Sequence, residues 1–324
     1  MRPIRFGIMA TGTIAHKMAR TMPLVPDAQL VAVSSRTQDA AANFAEEFGI
    51  PRAYGSHEAL LADPGVDAVY IASPHEHHHP MALAAIAAGK HVLCEKPLTL
   101  TARDSAELYD AAEEKGVFLM EAMWSRFIPA TLMAKRWLAE GRLGELRYMS
   151  AAFGYNTPYS APPHRILRAD RAGGALYDVG VYAIENALDF FAPHRVTELQ
   201  GMAALSPWGA DGVNSFLLRF DGGGIASLSS AVGCEMRNDG LLCGASAHIH
   251  LYPKFYAPQV AELWIDSRLV ERYEARFDSG FEFELQHTVD CIRAGKTHSD
   301  RMPPEDTLAC AEIFEELMRR GFRA

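Results

Sequence analysis

Ile4-Arg5-Phe6-Gly7-Ile8-Met9-Ala10-Thr11-Gly12-Thr13-Ile14-Ala15 is the stretch on which the fold turns. A short apolar run passes into a turn of small residues and then into a helical pattern from Ile14 to Met22. In a dinucleotide-binding unit the first small residue makes the turn. The second lets pyrophosphate approach the main chain, and the third packs helix against strand. Those positions here are Ala10, Gly12 and Ala15, with Gly7 upstream. Alanine in the first position is a departure and calls for a negative φ. Ala10, Thr11, Gly12, Thr13 and Ile14 are therefore expected to contact a cofactor.

Working outward, strands read at Gln29–Val33, Val66–Ile71, His91–Cys94 and Val117–Met120 alternate with helices at Ala40–Phe48, Met81–Ala88 and Ala102–Lys115. This alternation predicts a doubly wound parallel sheet ending near residue 122. Beyond Trp124 the pattern changes. A helix at Ala130–Glu140, a strand at Leu146–Tyr155, a proline-rich loop over 156–171 and a helix at Gly174–Phe191 precede a run of strands to Tyr273. Helices near Phe283–Ala294 and Pro304–Arg320 close the chain. The expected fold class is α/β, with an N-terminal Rossmann domain over 1–122. A C-terminal α+β domain over 123–324 carries a large, mostly antiparallel open sheet.

With 324 residues, the chain is long for a single core, which agrees with two domains. A formal charge of −9 argues against nucleic acid as a partner. No apolar stretch is long enough to span a bilayer, and the N-terminal run does not read as a secretion signal. Cys94, Cys234, Cys243, Cys291 and Cys310 are scattered, which suggests reduced thiols and a cytoplasmic protein. The histidines at 75, 77, 78 and 79 lack the second ligand set that zinc requires, so no metal is expected.

The second strand ends Val33-Ser34-Ser35-Arg36-Thr37 without the acid that holds an NAD ribose. Ser35 leaves room for a 2′-phosphate and Arg36 is suited to pair with it, so NADP is favoured, with NAD possible. Glu95-Lys96-Pro97 follows the strand His91–Cys94. Ligands of open parallel sheets sit beyond the carboxyl ends of the strands, where a lysine can polarise a substrate oxygen. Proline ends the strand there and is compatible with a cis turn. Further on, Asp178 and Tyr182 are four apart and would share one helix face. A cation such as Lys96 would stabilise a phenolate, although spacing alone leaves the polar edge of a buried helix equally open.

These motifs together resemble the glucose–fructose oxidoreductase / inositol dehydrogenase / rhizopine-catabolism (Gfo/Idh/MocA) family. The likeness rests on Ala88 to Pro97, Pro74-His75-Glu76-His77-His78 and Gly173 to Tyr182. Met120 to Phe127 resembles the dimeric dihydrodiol dehydrogenase branch more narrowly. The resemblance implies hydride transfer to or from a nicotinamide. It makes Lys96 the catalytic lysine, Tyr182 the proton carrier and Asp178 an aid to substrate placement. It also puts Ser73, Pro74, His75, His78, Glu95, Lys96, Trp124 and Arg126 beside the cofactor, with Lys96 hydrogen-bonding substrate or nicotinamide ribose, and offers Arg165, His164 and Arg168 as substrate-loop candidates. The implied substrate is a secondary alcohol or ketone of a sugar, polyol or cyclic diol. The open sheet would be covered by a second copy of the chain, giving a homodimer. The rival readings are a redox-neutral glycosidase or lyase using a bound cofactor, and a nucleotide-sensing regulator without turnover.

Overall fold

The computed structural model describes residues 2–323. Its chain separates into two compact units, one formed by the chain up to Trp124 with Ser279–Leu308, the other by Ser125–Asp278 with the chain from Ala309 on.

The first unit begins β1 (Ile4–Met9), α1 (Thr13–Thr21), β2 (Ala28–Ser34), α2 (Gln38–Phe48), β3 (Arg52–Tyr54) and α3 (His57–Leu61). It continues β4 (Ala68–Ile71), α4 (His78–Ala87), β5 (His91–Glu95), α5 (Ala102–Lys115) and β6 (Leu119–Ala122). The six strands lie in the order β3-β2-β1-β4-β5-β6, and every paired neighbour is parallel. Strand order reverses between β1 and β4, which is where such sheets bind ligands. The apolar runs are continuous because helices cover both faces. Val92, Leu93 and Cys94 have no exposed surface. β3 and α3 are too short to have declared themselves by periodicity.

The helices of this unit start in two ways. α2, α3 and α5 begin on Thr37, Ser56 and Thr101, whose hydroxyls accept from Ala40, Ala59 and Asp104 main-chain N–H groups. α1 begins on Gly12, with no side-chain cap and no acid in its first turn. Its first N–H groups therefore have neither an intrahelical partner nor a capping side chain.

The second unit contains α6 (Pro129–Ala139), β7 (Tyr148–Gly154) and α7 (Val181–Phe191), followed by β8 (Val196–Leu205), β9 (Asp211–Phe220) and β10 (Ile225–Ala231). Then come β11 (Gly240–Cys243), β12 (Ala247–Tyr252), β13 (Val260–Ile265) and β14 (Arg268–Glu274). These form an eight-stranded sheet in the order β14-β13-β12-β11-β7-β10-β9-β8, antiparallel except where β7 meets β10. Register sorts the residues onto two faces. Phe216, Leu218, Leu228, Met149, Leu242 and Ile249 are buried on the side carrying α6 and α7. The remaining helices are α8 (Phe281–Arg293) and α9 (Pro304–Leu317). Among the described residues no helix is long and apolar enough to cross a membrane.

Candidate active site

The candidate site of the first unit lies at the carboxyl ends of β1, β2, β4 and β5. Gly12 heads α1 with extended backbone, and a Cβ added there would meet only the Ala72 carbonyl, at 3.9 Å. The space beside Gly12 is thus left open by the protein itself, in front of uncapped N–H groups. That combination suits an anionic pyrophosphate. Ala10 corrects the expectation for the turn: its φ is 80°, in the left-handed region. Its main-chain N–H is fixed by the Ser34 carbonyl at 2.9 Å, so the tight turn is kept and alanine takes the conformation glycine would take more easily.

Thr11 Oγ1 and Ser35 Oγ lie 3.3 Å apart, joining this turn to the end of β2. Arg36, the next residue, is exposed, and among the described residues it has no hydrogen-bond or ion-pair partner. An uncommitted guanidinium at this position is what a ribose 2′-phosphate requires. Thr13 and Ile14 open α1.

After β4, Ser73 and Pro74 are half-buried and His75 is buried. His78 is also buried, with Nδ1 2.7 Å from the Pro97 carbonyl and Nε2 2.9 Å from the Ser73 carbonyl. Burial lowers its pKa, while the two carbonyl acceptors, each of which takes an N–H from the ring, oppose that shift. The imidazole therefore ties the turn after β4 to the turn that carries Lys96. The Lys96–Pro97 peptide is cis. Glu95 turns inward from the end of β5, accepts a hydrogen bond from the Tyr70 hydroxyl, and accepts from the Lys96 main-chain N–H at 3.3 Å. Burial raises its pKa while the Lys96 charge opposes that rise. Lys96 itself is half-buried at the mouth of this turn.

Trp124 is buried, its ring 4.9 Å from that of Phe281, with Lys17 Nζ 4.2 Å and 3.9 Å from the two ring centres. Lys17 thus links α1 to α8, a contact that no sequence spacing announced. Glu284 on α8 is fully buried, and among the described residues neither carboxyl oxygen has a hydrogen-bond partner. Burial first, then the Glu95 charge, pushes its pKa well above the usual carboxylate range.

In the second unit the Gly173-Gly174 pair is a packing requirement. A Cβ on Gly173 would come within 2.7 Å of the carbonyls of Arg165, Ile166 and Arg168. Gly174 has φ 127°, and a Cβ there would strike Asp211 Oδ1 at 2.0 Å. Asp211 accepts from the Leu176 N–H at 2.8 Å and from Asn214 Nδ2 at 2.5 Å, fastening the start of the next helical segment. Burial lifts its pKa to about 7.

That segment differs from the expected regular helix. Leu176–Gly180 is a π-helical turn that leads into α7, so four-residue spacing no longer aligns Asp178 with Tyr182 as it would on an α-helix. Asp178 Oδ2 accepts from the Tyr155 hydroxyl at 2.6 Å. Burial, then the Asp178 charge, drives the Tyr155 pKa far up, which keeps that phenol protonated. Tyr182 is buried against Phe153 and Tyr256, with ring centres 5.6 Å and 5.4 Å away. Phe153 and Tyr256 stack at 3.8 Å. Together these make an aromatic wall with one carboxylate beside it. Tyr155, Phe153 and Tyr256 were missed by sequence reasoning. Alternation along β7 was the available signal for the first two, and Tyr256 had none.

Arg126 is 1 % exposed and lies in the second unit, its guanidinium 2.5 Å from Glu185 and 3.7 Å from Asp189. Arg165 and His164 are exposed, with His164 Nδ1 accepting from the Ile166 N–H at 3.3 Å. Arg168 pairs with Asp170 at 2.5 Å, so its charge is taken up locally.

A parallel doubly wound sheet with an open, uncapped helix N-terminus at its switch point defines a nucleotide-dependent enzyme class. Residues 4–123 match the family described as "Oxidoreductase family, NAD-binding Rossmann fold", and residues 131–250 match the "GFO/IDH/MocA C-terminal domain". The chain belongs to the GFO/IDH/MocA oxidoreductase family. It is 32% identical to the trans-1,2-dihydrobenzene-1,2-diol dehydrogenase of Mus musculus over 97% of this chain and 95% of the mouse protein. The Homo sapiens protein of that name is 31% identical, over 98% of this chain and 96% of its own length. Among solved structures, a 3-ketoreductase from Actinomadura kijaniata in complex with NADP and TDP-benzene shares 27% identity with a TM-score of 0.84. That alignment covers 99% of this chain and 98% of the other. A levoglucosan dehydrogenase complexed with NADH shares the fold at 20% identity and a TM-score of 0.88, over 99% and 97% of the two chains.

Proposed function

We propose that this oxidoreductase is an NADP-dependent dehydrogenase or reductase acting on a secondary alcohol or ketone of a sugar, polyol or cyclic diol. The observation that carries the reading is the shared sheet edge of the first unit, with the uncapped α1 N-terminus at Gly12 and Lys96 just past β5. Gly12, Thr13 and Ile14 receive the pyrophosphate, Thr11 and Ser35 line the ribose, and Arg36 pairs with the 2′-phosphate. Ser73, Pro74, His75, Glu95 and Trp124 stand for the remaining cofactor contacts. When bound, the nicotinamide supplies or accepts hydride at C4.

The chain's own residues handle the proton and the substrate oxygen. Lys96 donates a hydrogen bond to that oxygen and stabilises the negative charge that develops on it. Tyr182 gives or takes the hydroxyl proton, its ring held by Phe153 and Tyr256. Asp178, bridged to Tyr155, orients the substrate hydroxyl groups. His78 holds the Lys96 turn in register. Arg126, buried on Glu185, acts as a positioning residue for α7. Arg165 is the substrate-loop candidate with its charge uncommitted. The trans-dihydrodiol relatives make a cyclic diol one substrate to test first. Two copies would pair through the open sheet face.

Reduced-nicotinamide absorbance with a panel of sugars, diols and diketones tests the reading. Net absorbance change with NADP(H) is expected. Product without net change indicates redox-neutral chemistry, and binding without product a sensor. Lys96→Met should cut kcat by about a hundredfold or more with cofactor affinity kept. Full activity in that variant overturns the assignment.

A further inference from the structure

Away from the nucleotide edge, the first unit gathers a histidine, a cysteine and an aspartate. His287 and Cys291 lie one turn apart on α8 and leave the same face. Cys291 Sγ is 3.3 Å from His287 Nε2. The loop that follows the helix returns Asp300 Oδ1 to 3.6 Å from the same nitrogen. All three donor atoms fall within 4.8 Å of one another. A tetrahedral zinc ion, about 2.0 Å from nitrogen or oxygen and about 2.3 Å from sulfur, separates adjacent donors by about 3.3 to 3.5 Å. The nitrogen–sulfur and nitrogen–oxygen distances are already close to those of a ligand set.

We propose that His287 Nε2, Cys291 Sγ and Asp300 Oδ1 form a binding site for a thiophilic divalent cation of the zinc class, with the fourth position left to solvent. The site is independent of the hydride-transfer reading. A thiolate, an imidazole and a carboxylate make a borderline-soft set, which selects zinc or cobalt over magnesium or calcium. Cys291 is buried, while the Asp300 side chain is 67% exposed, so the thiol forms the floor and the carboxylate the mouth. Lys296 Nζ takes Asp300 Oδ2 at 3.0 Å and leaves Oδ1 turned toward the imidazole. Ser299 Oγ, 2.8 Å from Nε2, competes for the ring's lone pair. It also accepts the N–H groups of Arg301 and Met302 at 3.0 Å, which shapes the loop carrying Asp300. Metal entry breaks the hydrogen bonds that Ser299 and Cys291 make to His287 Nε2, forms the metal–nitrogen, metal–sulfur and metal–oxygen bonds, and releases the Cys291 thiol proton to solvent. Because the Thr297 carbonyl accepts from the Leu119 N–H at 2.9 Å, the ion would clasp α8 to a loop fastened on β6.

The spacing of His287 and Cys291 was visible in the sequence, but its completion by Asp300 depends on the loop and was not. The test is a Co²⁺ titration of untagged, chelator-stripped full-length protein. A near-ultraviolet thiolate-to-cobalt band saturating at one ion per chain is expected, along with its loss on adding Zn²⁺ and a Tm raised by a few degrees with Zn²⁺. Cys291→Ser and His287→Gln should each abolish the band and the shift, while Ser299→Ala keeps both. Should Cys291→Ser fail to fold, Asp300→Asn at the exposed mouth should weaken cobalt affinity about tenfold with an unchanged circular dichroism spectrum. No band, or a band that survives Cys291→Ser or is indifferent to Asp300→Asn, overturns the proposal.

Discussion

The NADP preference proposed above rests on a single residue, Arg36. It stands at the end of β2 with an exposed guanidinium and no ion-pair partner among the described residues, next to a serine where NAD sites place an acid. A charge-assisted pair with a 2′-phosphate contributes about 1.5–3 kcal/mol, or about ten- to a hundredfold in affinity. Arg36→Ala is accordingly expected to raise the KM for NADPH by that factor and to leave the KM for NADH within about twofold. Steady-state titrations with both cofactors check this, and equal changes for the two would place Arg36 outside the phosphate site. Ala10 carries a cost in the same turn. An alanine at φ 80° is disfavoured by about 1 kcal/mol relative to glycine, and the chain bears it to keep the turn tight.

At the scale of the element, the segment from Gly173 to Phe191 explains both what was legible and what was not. The glycine pair, Asp178 and Tyr182 were readable because they stand together at the head of a helical run. The π-helical turn was not, because it is fixed by distant residues: Asp211 from β9 holds the Leu176 N–H, and Tyr155 after β7 holds Asp178. Likewise the strands of the parallel sheet announced themselves as apolar runs. β3, α3 and β11 were hidden by their shortness, and Lys17 between Trp124 and Phe281 by its distance along the chain. Asp211 gives this element a pH dependence. Its pKa is about 7 in the fold, against about 3.9 for a carboxyl in an unfolded chain. Between those values the folded state binds the extra proton, so this group's contribution to stability falls as pH rises from about 4 to about 7 and is level above. Asp211→Asn cannot ionise. Its stability relative to wild type should rise across that interval by an amount on the order of a few kcal/mol. Urea midpoints at pH 4.5 and 8 measure it, and a pH-independent difference would remove Asp211 as the titrating group.

The whole molecule is constrained by the second face of its large sheet. Register places Met202, Ser215, Leu217, Ser227, Ser150, Leu241, His250 and Glu262 on that face, opposite the residues packed under α6 and α7. It is mixed in character. Met202 is 77% exposed and Leu217 47% at one end, and charged and aromatic side chains occupy the other. Exposed apolar residues at adjacent register positions favour a partner surface over solvent, and a symmetric pair buries the same patch twice. The homodimer proposed here therefore predicts that the purified chain sediments as a dimer at micromolar concentration. Met202→Lys combined with Leu217→Lys places two cations on neighbouring strands of each copy and should shift the equilibrium toward monomer. Because both side chains point to solvent in the single chain, the monomer's fold and its cofactor binding should be kept. Sedimentation velocity and a thermal melt on the same samples separate the outcomes. A wild-type monomer, or a double variant that remains a fully associated dimer, would mean that this face is not where two copies meet.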